Sequence, residues 1–161
     1  MANDTCLQMV SRQEIEIVKK LACIGPLDKP RAQNYSTYFP WTINYLLVGN
    51  PSPNPKNSKP LGAALFGLER VESDALEAGH FGIVRPGKVA AIAANLERFD
   101  LKNLARAYAK AYPSKLSDLD DFRPDLPIEE AAKHIVEDVR RLASFYRRAA
   151  QKGLGVVMYT A

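Results

Sequence analysis

The sequence predicts an α+β fold, in which one domain packs a small, mainly antiparallel sheet against several helices and a long C-terminal helix precedes a terminal strand. Strand and helix patterns follow one another without the regular alternation that a doubly wound parallel sheet requires. The strongest helical pattern begins late, at Pro127, and leads into an apolar terminal segment. A length of 161 residues, with 47% hydrophobic and 25% charged side chains, is typical of one globular domain.

The N-terminal segment predicts a strand followed by a capped helix. Thr5–Val10 has the length of a short strand. Ser11 and Glu14 form the Ser-x-x-Glu pattern of a capping box, in which each side chain bonds a backbone N–H of the first turn. Apolar residues then recur at helical spacing, at Ile15, Val18, Leu21 and Ala22. We expect Gly25-Pro26 to end this helix and residues 26–37 to form a loop.

The central part of the chain predicts a short helix and a loop. Pro40 is a favourable first helical residue and Gly49 a favourable C-terminal cap, so a short buried helix is expected between them. Residues 50–60 contain four prolines and almost no apolar side chains, which indicates a surface loop within the single domain of residues 1–161. Residues 61–68 fit a short helix or a strand.

The remaining sequence predicts a strand, three helices and a terminal strand. His80–Val84 has a strand pattern, Pro86 begins a helix, and Asp100 is placed to cap the next one. The apolar stripes of these two helices are Val89, Ile92, Ala93, Leu96 and Phe99, and then Leu101, Leu104, Ala105, Tyr108 and Ala111. From Pro127 one apolar face continues for about six turns and leads into the strand Gly155–Tyr159.

The charges give no indication of a nucleic-acid partner. The net charge is +4, from 22 basic and 18 acidic residues. Nucleic-acid-binding proteins usually concentrate basic residues on one face, whereas carboxylates are interleaved here almost throughout. The pairs Arg140-Arg141 and Arg147-Arg148 form a basic strip that is typical of a solvated helix face.

The cysteines and the N-terminus indicate a cytoplasmic protein without a membrane partner. Cys6 and Cys23 belong to no CxxC or Cys/His cluster, so we expect reduced thiols in the core and no structural zinc site. The chain begins without the pattern of a signal peptide. Its longest clean apolar run, Val89–Ala94, is far shorter than a membrane span.

No arrangement of side chains indicates catalysis, a metal or a cofactor. His80 and His134 lie far apart in the sequence. Glu130, His134 and Asp138 recur every four residues and could align ligands on one helix face, but such a row is more typical of a solvated face. The glycines form no phosphate-binding pattern. We therefore expect no catalytic residue, bound metal or cofactor.

Several stretches resemble the YfbM-like family of small bacterial proteins. Leu142, Phe145-Tyr146, Ala149-Ala150 and Gly153 match its Leu-x-x-Phe-Tyr-x-x-Ala-Ala-x-x-Gly pattern. Ile43–Gly49 resembles its Ile-His-Tyr-Leu-Leu-Thr-Gly, Pro60-Leu61 with Gly67 fits the next block, and residues 81–86 are similar to its Tyr-Gly-Pro-x-Arg before a helix. The resemblance runs from about residue 41 to the C-terminus. It implies an α+β domain without an established activity, substrate or cofactor.

The sequence departs from the family pattern at four positions. Asn44 stands where the family usually has His, Ile83 replaces a Pro, and Arg123 stands where Tyr is common. Trp41 lies one residue closer to the motif at Ile43–Gly49 than the Trp of the family pattern does. An acid–base role of the family's histidine would therefore be absent from this chain.

Two classes of function stay open. The first is a non-enzymatic protein-binding module, for example an immunity protein that neutralises a secreted bacterial toxin. The positive net charge favours a toxin with a neutral or acidic surface. Its predicted binding residues are Trp41, Asn44, Tyr45, His80 and Arg85, although Trp41 and Tyr45 also fit the core. The second class is a small-molecule-binding protein or enzyme that uses Asn44, Tyr45, His80 and Arg85. The sequence indicates no oligomeric state.

Overall fold

The chain forms a mixture of strands and helices within residues 4–25, 34–50, 59–76 and 78–160, which the computed structural model describes. The strands in these ranges are β1 (Thr5–Val10), β2 (Tyr35–Thr37), β3 (Glu69–Glu72), β4 (His80–Val84) and β5 (Gly155–Thr160). The α-helices are α1 (Arg12–Leu21), α2 (Pro40–Val48), α3 (Pro86–Arg98), α4 (Leu101–Ala111) and α5 (Ile128–Gln151). A 3₁₀ turn covers Pro60–Ala63.

The strands form one antiparallel sheet in the order β2-β1-β5-β4-β3, so the C-terminal strand lies at its centre. β5 pairs with β1 from Thr5 opposite Thr160 to Val10 opposite Gly155, and with β4 along its other edge. A strand with neighbours on both sides is shielded from water. Its central residues are accordingly buried, namely Val156, Val157 and Met158.

Helices cover the two faces of the sheet unequally. Side chains alternate between the faces along each strand. On one face, the main core combines α2–α5 with strand residues including Leu7, Met9, Val84, Val156 and Met158. On the other face, α1 packs Ile15 and Val18 against Val10, Phe81, Ile83 and Val157. This is the predicted α+β architecture.

The longest helix, α5, supplies a large part of the main core. Its buried residues are Ala131, Ala132, Ile135, Val139, Leu142, Phe145, Tyr146 and Ala149. The hydroxyl of Tyr146 donates a hydrogen bond to the backbone carbonyl oxygen of Ala64 (2.8 Å), which joins the helix to the segment after the 3₁₀ turn. The predicted apolar face is thus confirmed, except that Ile128 at its start is 38% exposed.

Predicted helix ends are confirmed where capping residues mark them. The Ser11–Glu14 capping box is formed in both directions, and Asp100 caps the backbone at the start of α4. Gly49 and Gly153 take the positive φ angles that follow the ends of α2 and α5. Helix α1 ends earlier than predicted, because Ala22 adopts the left-handed conformation (φ +47°) three residues before Gly25.

Three short segments differ from the sequence-based predictions. Residues 26–37 were expected to form a loop, but Tyr35–Thr37 is the edge strand β2. Glu69–Glu72 forms β3 at the opposite edge, although its sequence Glu-Arg-Val-Glu has one apolar residue and too little alternation to indicate a strand. Residues 61–68 form neither a regular helix nor a strand, since the 3₁₀ turn leads into further turns. The proline-rich segment predicted as a loop lies, at residues 51–58, outside the described residues.

Both cysteines are free thiols. Cys6 and Cys23 are half-buried, so they lie at the margin of the fold rather than deep in the core. Burial, and then the neighbouring carboxylate of Asp4, raises the pKa of the Cys6 thiol. Among the helices in the described ranges, none combines the length and the apolar character needed to cross a bilayer.

The packing of α5 predicts a large difference between two substitutions on the same helix. Leu142 is fully buried, so Leu142→Ala should lower the free energy of unfolding by about 2–5 kcal/mol. Arg148 is exposed, and Arg148→Ala should change it by less than about 0.5 kcal/mol. Urea unfolding of the two variants and the wild type measures both values. A larger loss for Arg148→Ala would contradict the assignment of the two faces.

Candidate binding surfaces

The N-terminus of α2 is held by a carboxylate from a distant part of the chain. Phe39, which precedes the helix, provides no side-chain cap. Instead, Oδ2 of Asp121 accepts hydrogen bonds from the backbone N–H groups of Trp41 (2.7 Å) and Thr42 (2.9 Å), and Oδ1 accepts one from the Thr42 hydroxyl (2.7 Å). Burial raises the pKa of Asp121, and these hydrogen bonds act in the opposite direction. The acceptor satisfies backbone donors that the first helical turn leaves unpaired.

Trp41, one of the predicted binding residues, lies beside the sheet face that carries His80. Its ring packs against Phe66 with 4.7 Å between the ring centroids. Phe66 and His80 both line a small cavity of about 20 Å³ above Gly82. This volume is close to that of a single water site and far below that of a substrate pocket. The Nδ1 atom of His80 is 2.8 Å from the backbone carbonyl oxygen of Ala78.

Asn44 and Tyr45 stabilise the C-terminal end of α2. Asn44 is 1% exposed, and its Nδ2 donates to the backbone carbonyl oxygen of Asn50 (2.8 Å). The amide therefore fixes the chain that leaves α2. Tyr45 is half-buried against the main core, and its carbonyl oxygen accepts the hydrogen bond of Gly49 that ends the helix (2.7 Å).

Arg85 lies on the other side of the sheet, in an ion-pair network with α1. Its guanidinium donates to both carboxylate oxygens of Glu69 on β3 and to Oε1 of Glu16 on α1 (3.0 Å). Lys19, also on α1, contacts Glu69 through Nζ (2.9 Å). The hydrogen bonds from Arg85, and then those from Lys19, hold the pKa of Glu69 below its usual value, against the effect of burial. Arg85 thus joins α1 to two strands.

The structure divides the five predicted residues between two places. Trp41, Asn44, Tyr45 and His80 belong to the face that α2–α5 cover, whereas the Arg85 side chain pairs with α1 on the opposite face. Asn44 is also too deeply buried to contact a partner. Hence the five residues do not form one continuous surface. A binding role of Trp41, Tyr45, His80 or Arg85 stays a prediction.

The three possible metal ligands on α5, Glu130, His134 and Asp138, have different partners. His134 Nε2 lies 3.9 Å from Oε1 of Glu130. Asp138 instead accepts hydrogen bonds from the Thr37 hydroxyl on β2 (2.6 Å) and from Arg141 (3.0 Å). Within the part of the chain that the structure describes, no three His, Cys, Asp or Glu side chains are grouped as metal ligands.

Asp138 is the centre of a polar cluster that joins β2 to α5. The Arg141 guanidinium lies 5.4 Å from the centroid of the Tyr35 ring and also donates to Oδ1 of Asp138. Burial raises the pKa of Asp138, against the hydrogen bond of Thr37 and the charge of Arg141. Burial, and then the charge of Asp138, raises the pKa of Tyr35, while the nearby Thr37 hydroxyl acts in the opposite direction. This cluster could not be predicted from the sequence, because residues 35–37 resemble a loop.

A groove of about 810 Å³ lies between α4 and α5. Its apolar lining is Leu101, Ala105, Ala109, Ile128, Ala132 and Val136. Its polar lining comes from α5 and consists of Glu129, Lys133, His134, Glu137 and Arg140. Sequence reasoning missed this groove. The available signal was the run of alanines on facing helices, since small side chains leave space between two backbones.

The cap on α2 predicts a strong effect of one aspartate within an acidic segment. Asp121→Ala should lower the free energy of unfolding by about 2–4 kcal/mol, because it removes a cap and leaves the buried Thr42 hydroxyl without its acceptor. Asp120 is exposed, so Asp120→Ala should change it by less than about 0.5 kcal/mol. Chemical denaturation of the pair provides the comparison, and equal losses would contradict the capping role.

The ion-pair network predicts a pH-dependent contribution from Glu69. A carboxyl group whose pKa is lowered by folding stabilises the folded state above its unfolded-state pKa, near 4.5, and this contribution disappears as the pH falls through the folded-state pKa. Glu69→Gln should therefore destabilise the protein at pH 7 and make progressively less difference below pH 4.5. The matched control is Glu72→Gln on the same strand, whose exposed pair with Arg70 contributes little. A Glu69→Gln effect that is constant from pH 7 to pH 3 would exclude this role.

Comparison with known proteins identifies a family but no activity. The family described as "Domain of unknown function (DUF1877)" matches residues 41–159. The fold is similar to the crystal structure of YfbM from Escherichia coli, a protein of unknown function, with a TM-score of 0.69, 18% sequence identity, and coverage of 98% of this chain and 99% of that chain. No curated protein matches significantly. The similarity to YfbM agrees with the resemblance seen in the sequence, and, because the family match covers most of its length, the chain belongs to the DUF1877 family.

Proposed function

We propose that this chain is a non-enzymatic protein-binding domain that receives an amphipathic helix of its partner in the groove between α4 and α5. The observation that carries the proposal is the groove itself, which has an apolar floor and a polar edge. Amphipathic helices dock in grooves of this kind, with apolar residues in the groove and polar residues at its margins.

The dimensions of the groove suit a helix. Helix α4 has 11 residues, so the groove runs for about 16 Å, or about three helical turns. Ala105 and Ala109 on α4 face Ala132 on α5 across it. Small side chains at these positions allow a third helix to approach to the usual interaxial distance of about 8–10 Å.

The alternative function, in which the chain binds or converts a small molecule, has less support. A small-molecule site at Asn44, Tyr45, His80 and Arg85 would need these groups to converge on one cavity. The cavity beside His80 has a volume of only about 20 Å³, and Arg85 is engaged by Glu16 and Glu69. The groove is therefore the better candidate. That the partner is a secreted toxin, and the chain an immunity protein, stays a prediction.

Selection of helical peptides tests the proposal. A displayed library of amphipathic helices is first selected for binding to the wild-type domain. Library members that also bind the Ala105→Glu variant, which has a carboxylate in the apolar groove, are then removed. The matched control is Ala107→Glu, an exposed position of the same helix that does not line the groove. Selected peptides should bind the wild type and the control alike, and Ala105→Glu at least tenfold more weakly, in a fluorescence anisotropy titration.

Two outcomes would contradict the proposal. One is a library from which every binder retains its affinity for Ala105→Glu. The other is binding that leaves the backbone amide resonances of Ala105, Ala132 and Val136 unshifted while resonances elsewhere move. Circular dichroism and urea unfolding of the two variants confirm that each is folded before it is used.

A further inference from the structure

We infer that the helix received by the groove is acidic along one side. This inference rests on the proposed function of the groove and specifies the partner. It comes from the outer edge of α4, where Lys102, Arg106 and Lys110 follow one another at intervals of four residues. Such spacing places them on one side of the helix, about 6 Å apart along its axis.

This basic row borders the groove. Leu101, Ala105 and Ala109 line the groove, and each basic residue comes directly after one of them in the sequence. Adjacent residues are about 100° apart around a helix, so the basic row lies beside the apolar stripe. All three side chains are exposed. A helix lying in the groove would therefore have one of its sides next to three cations.

The basic row is not paired with carboxylates among the described residues. None of the three side chains forms an ion pair there. Helix α4 contains no acidic residue. The opposite edge of the groove is different, because Glu129 and Glu137 alternate with Lys133 and Arg140 along α5, and Glu137 pairs with Arg140 (2.5 Å). Only the α4 edge thus favours one sign of charge.

Charge complementarity with the basic row favours an acidic helix as the occupant of the groove. A helix with apolar residues in the groove and Glu or Asp at i, i+4 and i+8 on one side would place a carboxylate near each cation of the row. Interactions of this kind contribute modestly to affinity at an exposed edge and more to the rate of association and to the choice of partner. The partner is accordingly expected to be a protein with an acidic amphipathic helix.

Two synthetic peptides of the same length test this inference. Both carry one Leu stripe, and the flanking row at i, i+4 and i+8 is Glu in the first and Lys in the second. The acidic peptide should bind the wild type about tenfold more tightly at low salt, and raising the salt concentration should reduce the difference. The triple variant Lys102→Glu, Arg106→Glu, Lys110→Glu should reverse the preference.

The control variant carries the same change of net charge away from the groove, as Lys88→Glu, Arg98→Glu, Arg148→Glu. These exposed positions do not line the groove, so the preference for the acidic peptide should persist. Loss of the preference in this control would overturn the inference, because it would assign the effect to overall charge. Equal affinity for both peptides would overturn it as well, while leaving the proposed function intact if both are sensitive to Ala105→Glu.

The other possible occupants give different results. If a second copy of the chain covers the groove, sedimentation should show a dimer that Ala105→Glu dissociates and the acidic peptide does not. If the basic row binds a membrane, the protein should sediment with phosphatidylserine vesicles, and the triple variant, but not Ala105→Glu, should abolish this. Either result would overturn the acidic helix as the occupant. Failure of both peptides to bind, together with a library that yields no groove-dependent binder, would instead overturn the proposed function.

Discussion

The fold depends on the insertion of the last strand between β1 and β4. The sheet consists of a β1–β2 pair and a β3–β4 pair, and β5 is the only strand of the described sheet that joins them. Because β1 begins near residue 5 and β5 ends at residue 160, the central pairing brings together the two ends of the sequence. The contact is of high sequence separation, so the entropy of closing a long loop is lost before this pairing stabilises the fold.

This constraint explains why the end of α5 carries the most specific family pattern. Helix α5 leads directly to β5, and Leu142, Phe145, Tyr146 and Ala149 are all buried where the helix approaches the sheet. Gly153 then supplies the left-handed turn between the two elements. Gly82 has a related role on β4, since a Cβ atom there would overlap the backbone carbonyl oxygen of Phe66 and approach the side chain of Met158. These residues of the family motifs therefore mark close packing around β5.

Local sequence signals were sufficient for most elements and insufficient for the edges and the candidate sites. Helices α3, α4 and α5 could be predicted because their apolar residues recur at helical spacing, and α2 because Pro40 and Gly49 bound it. The edge strands β2 and β3 could not, since a short edge strand has few buried side chains and takes its structure from its neighbour. The contacts of Asp121 and Arg85 join residues more than 15 positions apart, and no periodicity encodes such pairs.

The distribution of charge explains why the basic row beside the groove could not be predicted from the overall composition. Along the part of α5 beside the groove, acidic residues lie among basic ones, and Glu137 pairs with Arg140 and Asp138 with Arg141. That helix agrees with the sequence-based expectation of a solvated face. Along α4 the same chain has basic residues alone on its outer side. The net charge of +4 is a sum over the whole chain, and it therefore does not reveal that the two helices differ. Once the fold places the two helices side by side, the difference between them becomes the asymmetry of one groove.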